Sequence, residues 1–127
     1  MAGTPIIPKG SAPPLAPYSP GTRAGDFIFV SGTLALDPEG NLIGGDDIKA
    51  QTAHVLDSIK RVLEEAGASM ADIVFNHLFI KHLGDYAAVN EVYAEYFPAN
   101  PPARYLIQAD LVKPEFLIEI ASTAYTG

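Results

Sequence analysis

Asp46-Asp47-Ile48-Lys49-Ala50-Gln51-Thr52-Ala53-His54-Val55-Leu56-Asp57-Ser58-Ile59-Lys60-Arg61-Val62-Leu63-Glu64-Glu65-Ala66-Gly67 is the stretch on which the fold turns. Ile48, Val55, Ile59, Val62, Leu63 and Ala66 recur at helical spacing, with Lys49, Asp57, Lys60, Arg61 and Glu64 among the polar positions. Asp46 or Asp47 suits an N-cap, because a short carboxylate accepts from the free amides of a first turn. Gly67 suits the left-handed residue that ends a helix. One amphipathic helix therefore separates two regions of very different pattern.

Upstream, Asp26-Phe27-Ile28-Phe29-Val30-Ser31-Gly32 is rich in β-branched and aromatic residues and reads as a buried strand. It is expected to run on through Leu34-Ala35-Leu36 to a turn at Asp37-Pro38-Glu39-Gly40-Asn41, with a short return strand at Leu42-Ile43. The first twenty residues carry six prolines (Pro5, Pro8, Pro13, Pro14, Pro17, Pro20) and predict extended surface chain with a possible edge strand.

Downstream, Asp72 through Leu83 predicts a strand, and Gly84-Asp85 opens a second helix. Tyr86, Val89, Tyr93, Tyr96 and Phe97 form its apolar side, and Pro98 ends it. Arg104 to Leu111 and Phe116 to Tyr125 predict two closing strands joined at Lys113-Pro114. The order β-β-(β)-α-β-α-β-β is an α+β plan over 1–127, one domain, with two helices on one face of a mixed sheet. The other face, with Phe27, Phe29 or their neighbours, stays uncovered in a monomer, and an apolar face of that size predicts oligomerisation.

Composition narrows the function. The chain is 48% hydrophobic over 127 residues, with 8 Lys+Arg against 15 Asp+Glu and a net charge of −7. That balance argues against nucleic acid, since a polyanion needs a concentrated basic surface. No cysteine is present, so disulfides, thiolate metal sites and a cysteine nucleophile are out. The N-terminus lacks the pattern of a signal peptide, and no apolar run reaches the ~20 residues of a membrane span, so a cytoplasmic location is expected. His54, His77 and His82 show no metal-ligand spacing; His77 and His82, expected in one strand, would face opposite ways. The glycines form no phosphate-binding pattern, so no metal and no cofactor is expected.

Two charges stand out. Arg104, in Pro101-Pro102-Ala103-Arg104-Tyr105-Leu106, and Glu119, in Leu117-Ile118-Glu119-Ile120, each fall in an apolar run where an ionised group is costly without a partner or a task. A guanidinium matches a carboxylate with two parallel hydrogen bonds. Burial would raise the Glu119 pKa toward the range of proton transfer, whereas a close Arg104 would lower it. The pair fits either a site for a small carboxylic acid or a mutual ion pair in an interface. Gly32 marks either a bulge or a close backbone approach to a ligand. Tyr18 is a phenol in a stiff proline-flanked segment, either packing or site.

Pro17-Tyr18-Ser19, Phe29-Val30-Ser31-Gly32, Gln51-Thr52 with Val55-Leu56, Val89 to Phe97, Pro102-Ala103-Arg104 and Ile118-Glu119-Ile120 resemble the signature of the RidA (YjgF) family of enamine/imine deaminases. The resemblance runs from about Ile6 to Tyr125, with the blocks in the family's order. Ser31-Gly32-Thr33-Leu34-Ala35, Leu111-Val112-Lys113-Pro114, Ile6-Ile7-Pro8 and the stretch from Ser11 to Pro20 look like that family's RutC branch, which serves pyrimidine (uracil) degradation.

The resemblance implies a chorismate-mutase-like domain assembled as a homotrimer with sites between subunits. It implies hydrolysis of the enamine 3-aminoacrylate to malonic semialdehyde and ammonia, without metal or cofactor. By the same resemblance Arg104 binds the substrate carboxylate and Glu119 places or activates the water. Tyr18 matches a tyrosine contributed across the subunit interface, and Gly32 a glycine whose backbone lines the pocket. Ser31 and Leu106 flank that pocket, and Asn90 matches an asparagine near it. Thr33 and Leu106 depart from the usual family residues, glutamine and often cysteine, and reshape the pocket. Two other readings stand beside this one: a general deaminase of 2-imino acids such as 2-iminopropanoate, and a non-catalytic trimer that binds small carboxylates.

Overall fold

The computed structural model describes residues 2–11 and 14–127. Ala12 and Pro13, the latter one of the six N-terminal prolines, lie outside the described residues, as does Met1. Six strands form one sheet: β1 (Thr4–Ile6), β2 (Gly21–Ala24), β3 (Phe27–Thr33), β4 (Ile73–Ile80), β5 (Ala103–Gln108) and β6 (Ile118–Tyr125). Their spatial order is β1-β2-β3-β6-β4-β5, with β4 and β5 parallel and the other neighbours antiparallel. Helices α1 (Ile48–Glu65) and α2 (Tyr86–Tyr96) pack on the same face, which gives the expected mixed sheet with two helices.

α1 begins where the Asp47 carboxylate accepts from the amides of Lys49 and Ala50, at 3.0 and 3.3 Å. It ends at Gly67, whose φ of 79° lets Gly67 N–H reach Glu64 O and Ala68 N–H reach Leu63 O. Those two bonds satisfy carbonyls that the helix end leaves free. Val55, Leu56, Ile59 and Leu63 are wholly buried against Ile28, Leu78, Ile118 and Ile120 of the sheet. The α1 amide of Gln51 is equally buried: its Nε2 donates to Gly45 O and Glu115 O, and its Oε1 accepts from Leu117 N–H. It thereby fixes the chain just ahead of β6.

Several boundaries differ from the sequence reading. β2 was not anticipated; Gly25, at φ 60°, turns the chain so that Gly21–Ala24 pairs with Val30–Phe27. β3 stops at Thr33, and Leu36 and Leu42 form only an isolated bridge, because Leu34–Ile43 folds back on itself. β4 is shorter than Asp72–Leu83. A helical turn, Met70–Asp72, precedes it, and a second, Leu83–Asp85, follows it. His82 therefore lies beyond the strand that carries His77, and the opposite-face reading of the two does not apply. The last strands are likewise trimmed to Ala103–Gln108 and Ile118–Tyr125, since Lys113–Glu115 makes turns rather than sheet.

The face away from the helices is open. Phe27, Phe29, Tyr105 and Tyr125 are exposed on it, beside Phe75, His77 and Phe79. The rings of Phe27 and Tyr125, and of His77 and Tyr105, lie 5.1 and 5.0 Å apart. No helix among the described residues is long and apolar enough to cross a membrane.

Candidate functional site

The end of β3 is where the sheet becomes irregular. Val30 pairs with Ser122 and Thr33 with Ile120, so β3 carries one residue more than β6 over this span, a bulge at Ser31-Gly32. The bulge is tied down from three sides. Ser31 N–H donates to Pro20 O (2.9 Å), Ser31 Oγ to Ser19 O (2.6 Å), and Thr33 Oγ1 to Ser31 O (2.7 Å). The end of the proline-rich segment, Ser19-Pro20, is thus used as a brace that brings Tyr18 alongside.

Glu119 lies across from the bulge on the open face of the sheet. A β-carbon at position 32 would fall against Glu119 Oε2 and stand 3.0 Å from its Cδ. Any side chain there would displace the carboxylate. Leu15, Ala16, Tyr18, Ser31, Gly32, Leu34, Val112 and Glu119 line one cleft of about 420 Å³. The cleft's apolar walls desolvate the carboxyl, and this burial pushes its pKa above the ordinary glutamate value. No cation lies within ion-pair distance of it among the described residues.

Arg104 stands elsewhere. It pairs in register with Asn76 of β4, whose side chain is buried under the helices, so Arg104 also points to the helix side. Tyr86, Asn90 and Tyr93, at i, i+4 and i+7 of α2, surround its guanidinium. Arg104 Nη2 donates to Asn90 Oδ1 at 2.7 Å, and its Cζ lies 4.7 Å from the Tyr93 ring centroid and 6.0 Å from that of Tyr86. Asn90, then Arg104, holds the exposed Tyr86 phenol below its usual pKa. Leu106 lies two residues along β5, packed against the core.

The residues singled out in the sequence thus fall into two groups. Tyr18, Ser31, Gly32 and Glu119 come together; Arg104 and Asn90 come together; the groups face opposite sides of the sheet. Within one chain Arg104 and Glu119 do not neutralise each other. Sequence reasoning did not single out Leu15, Leu34 and Val112 as cleft walls, nor Asn76 and Ser122 beneath Arg104. An asparagine amid the apolar run Ile73–Ile80 was the available signal for that buried polar pair. The histidines do other work: His54 Nε2 donates to Leu36 O at 2.7 Å, and His77 Nδ1 bonds the Tyr105 hydroxyl at 2.8 Å. Among the described residues no group of three or more His, Asp or Glu side chains could hold a metal ion.

The sequence profile described as Endoribonuclease L-PSP matches residues 9–126. Among solved structures, RidA of the Antarctic bacterium Psychrobacter sp. is 32% identical with a TM-score of 0.87, covering 96% of this chain and 99% of its own. YyfA of Yersinia pestis, from the conserved Rid protein family, is 31% identical with a TM-score of 0.89, covering 98% and 99%. The YjgF gene product of E. coli is 30% identical, also with a TM-score of 0.89 and covering 98% and 99%. With a profile match over residues 9–126 and likeness to these structures over nearly its whole length, the chain belongs to the Endoribonuclease L-PSP (YjgF/RidA) family.

Proposed function

We propose that this protein is an enamine/imine deaminase that hydrolyses 3-aminoacrylate to malonic semialdehyde and ammonia, in pyrimidine catabolism. The observation that carries the reading is Glu119. It is a half-buried carboxyl of raised pKa, seated in the space that Gly32 leaves and lining an open cleft, with no cation within ion-pair distance among the described residues. A carboxyl poised in this way can hold a proton and pass it on.

The chemistry needs little more. Protonation of the enamine at C2, the carbon that bears the carboxylate and lies β to nitrogen, gives an iminium ion, with the positive charge on nitrogen. Water adds to the iminium carbon, losing a proton, and the carbinolamine expels ammonia as its hydroxyl becomes the aldehyde. Glu119 accepts the proton from water and returns it to the leaving nitrogen; the proton added at C2 comes from solvent, and the one that the hydroxyl gives up returns there. Arg104 binds the carboxylate, and Tyr18, Ser31, Gly32, Asn90 and Leu106 shape the surroundings. Net charge −7 and the scattered cations speak against a ribonucleic acid substrate, whatever the family's description.

Arg104 and Glu119 face opposite sides of one sheet, so a site that uses both draws them from two chains. The open face of Phe27, Phe29 and Tyr125 supplies an apolar surface for such an assembly. A homotrimer with its sites between subunits satisfies both demands and agrees with the family resemblance.

Ammonia release from freshly generated 3-aminoacrylate, with and without enzyme and with Glu119→Gln, tests the reading. A parallel assay uses 2-iminopropanoate made in situ. Acceleration greatest with 3-aminoacrylate and lost in the variant supports it. Preference for 2-iminopropanoate makes the protein a general imine deaminase. Acceleration of neither leaves a carboxylate-binding protein.

A further inference from the structure

Arg104, Asn76 and Ser122 stand side by side on β5, β4 and β6, because Asn76 is in register with both neighbours. Asn76 is fully buried and Ser122 is 3% exposed, in a core that includes Leu78, Ile80, Val89 and Ile120. Ser122 Oγ donates to Asn76 Oδ1 at 2.5 Å, and Asn76 Nδ2 donates to the Tyr93 hydroxyl at 2.9 Å. Tyr93 then presents its ring to the Arg104 guanidinium at 4.7 Å.

The same space filled with apolar groups of like shape would be as stable, or more so. A buried polar chain therefore points to a task other than stability. The Tyr93 ring is gripped at two places. Phe97 packs on it at 4.6 Å between centroids, and Asn76 holds its hydroxyl end. A ring so gripped sets the plane in which a stacked guanidinium lies, while Asn90 takes one of its N–H donors. The remaining donors are left in a fixed fork, the geometry that a carboxylate needs.

We infer that Asn76, supported by Ser122, is a positioning residue for Arg104, acting through the Tyr93 ring. This inference rests on the reading of Arg104 as the carboxylate anchor. The test is the triple variant Asn76→Leu, Tyr93→Phe, Ser122→Ala, which removes every polar member at once and keeps the shape. Its melting temperature is expected to stay within a few degrees of wild type, while KM for 3-aminoacrylate rises about tenfold with kcat little changed. The Arg104 Nε–Hε NMR signal is expected to be sharp in wild type and to broaden or average in the variant.

A wild-type signal together with wild-type KM in a folded triple variant overturns the inference. A broadened signal with unchanged KM upholds the positioning and removes Arg104 as anchor, so the two claims fail separately. If the triple variant does not fold, Ser122→Ala alone should raise KM several-fold, and Ser122→Thr, which keeps the hydroxyl, should restore it. In an Arg104→Ala background the triple change should add nothing to KM; a full additive effect would also overturn the inference.

Discussion

The carboxylate of Glu119 occupies the space into which a β-carbon at Gly32 would project. The glycine's role here is one of room, not of backbone freedom, since Gly32 is absent from the positive-φ residues. Gly32→Ala therefore moves the carboxylate, and deaminase activity should fall about a hundredfold or more, because misplacement of about 1 Å can have that effect. Circular dichroism and oligomer size should match wild type. Full activity in this variant would put the reaction elsewhere.

Opposite sheet faces for Arg104 and Glu119 predict complementation in trans. The Arg104→Ala and Glu119→Gln proteins should each be nearly inactive. Unfolded together and refolded as mixed oligomers, they should regain up to about a quarter of wild-type activity, because some interfaces then join an intact arginine to an intact glutamate. Mixtures as inactive as their parents would mean that both groups act within one chain.

The raised pKa of Glu119 fixes the direction of a pH effect. Burial disfavours the ionised form, so the group's contribution to stability is complete below the unfolded glutamate pKa. It is lost as pH rises through the higher folded value. Glu119→Gln should therefore melt above wild type at pH 7, and that advantage should vanish below the ordinary carboxylate range. The acidic limb of kcat/KM in the wild type should likewise lie above the ordinary glutamate pKa. A variant that is less stable at neutral pH would contradict the desolvated state of this carboxyl.

Gln51 makes three hydrogen bonds while wholly buried, to Gly45, Glu115 and Leu117. Gln51→Leu strands those backbone groups and should cost about 2–4 kcal/mol, at roughly 1–3 for each unsatisfied group with partial rescue by water. A urea titration with an unchanged slope and a lower midpoint would record it. A loss under about 0.5 kcal/mol would show that the segment before β6 is held by packing alone.

The open face should be the assembly surface. Phe29 is 45% exposed and stacks with Phe27 at 6.2 Å. Phe29→Glu places a charge in that patch, and sedimentation should show monomers at concentrations where wild type is oligomeric. An unaltered oligomer would assign assembly to another surface.

Local physics made much of this molecule legible in its sequence. The helical period between Asp47 and Gly67, with a capping carboxylate before it and a left-handed glycine after it, specified α1 almost to the residue. The apolar runs around Phe29, Phe79 and Ile120 announced strands, and the lone charges of Arg104 and Glu119 announced the candidate site. Strand β2 escaped because Gly21–Ala24 has no alternating apolar pattern; it exists only because β3 offers it a ladder. The relation between the two charges was decided by tertiary structure alone. Side-chain parity within one strand is a local property, but which face Arg104 shares with which neighbour depends on the register of β5 against β4 and of β4 against β6. Register is set by long-range pairing, here including the irregularity between Ile73 and Phe75 where β4 meets β6, and a shift of one residue would reverse every side chain. That is why the sequence could single out the two charges, and only the folded sheet could place them on opposite sides.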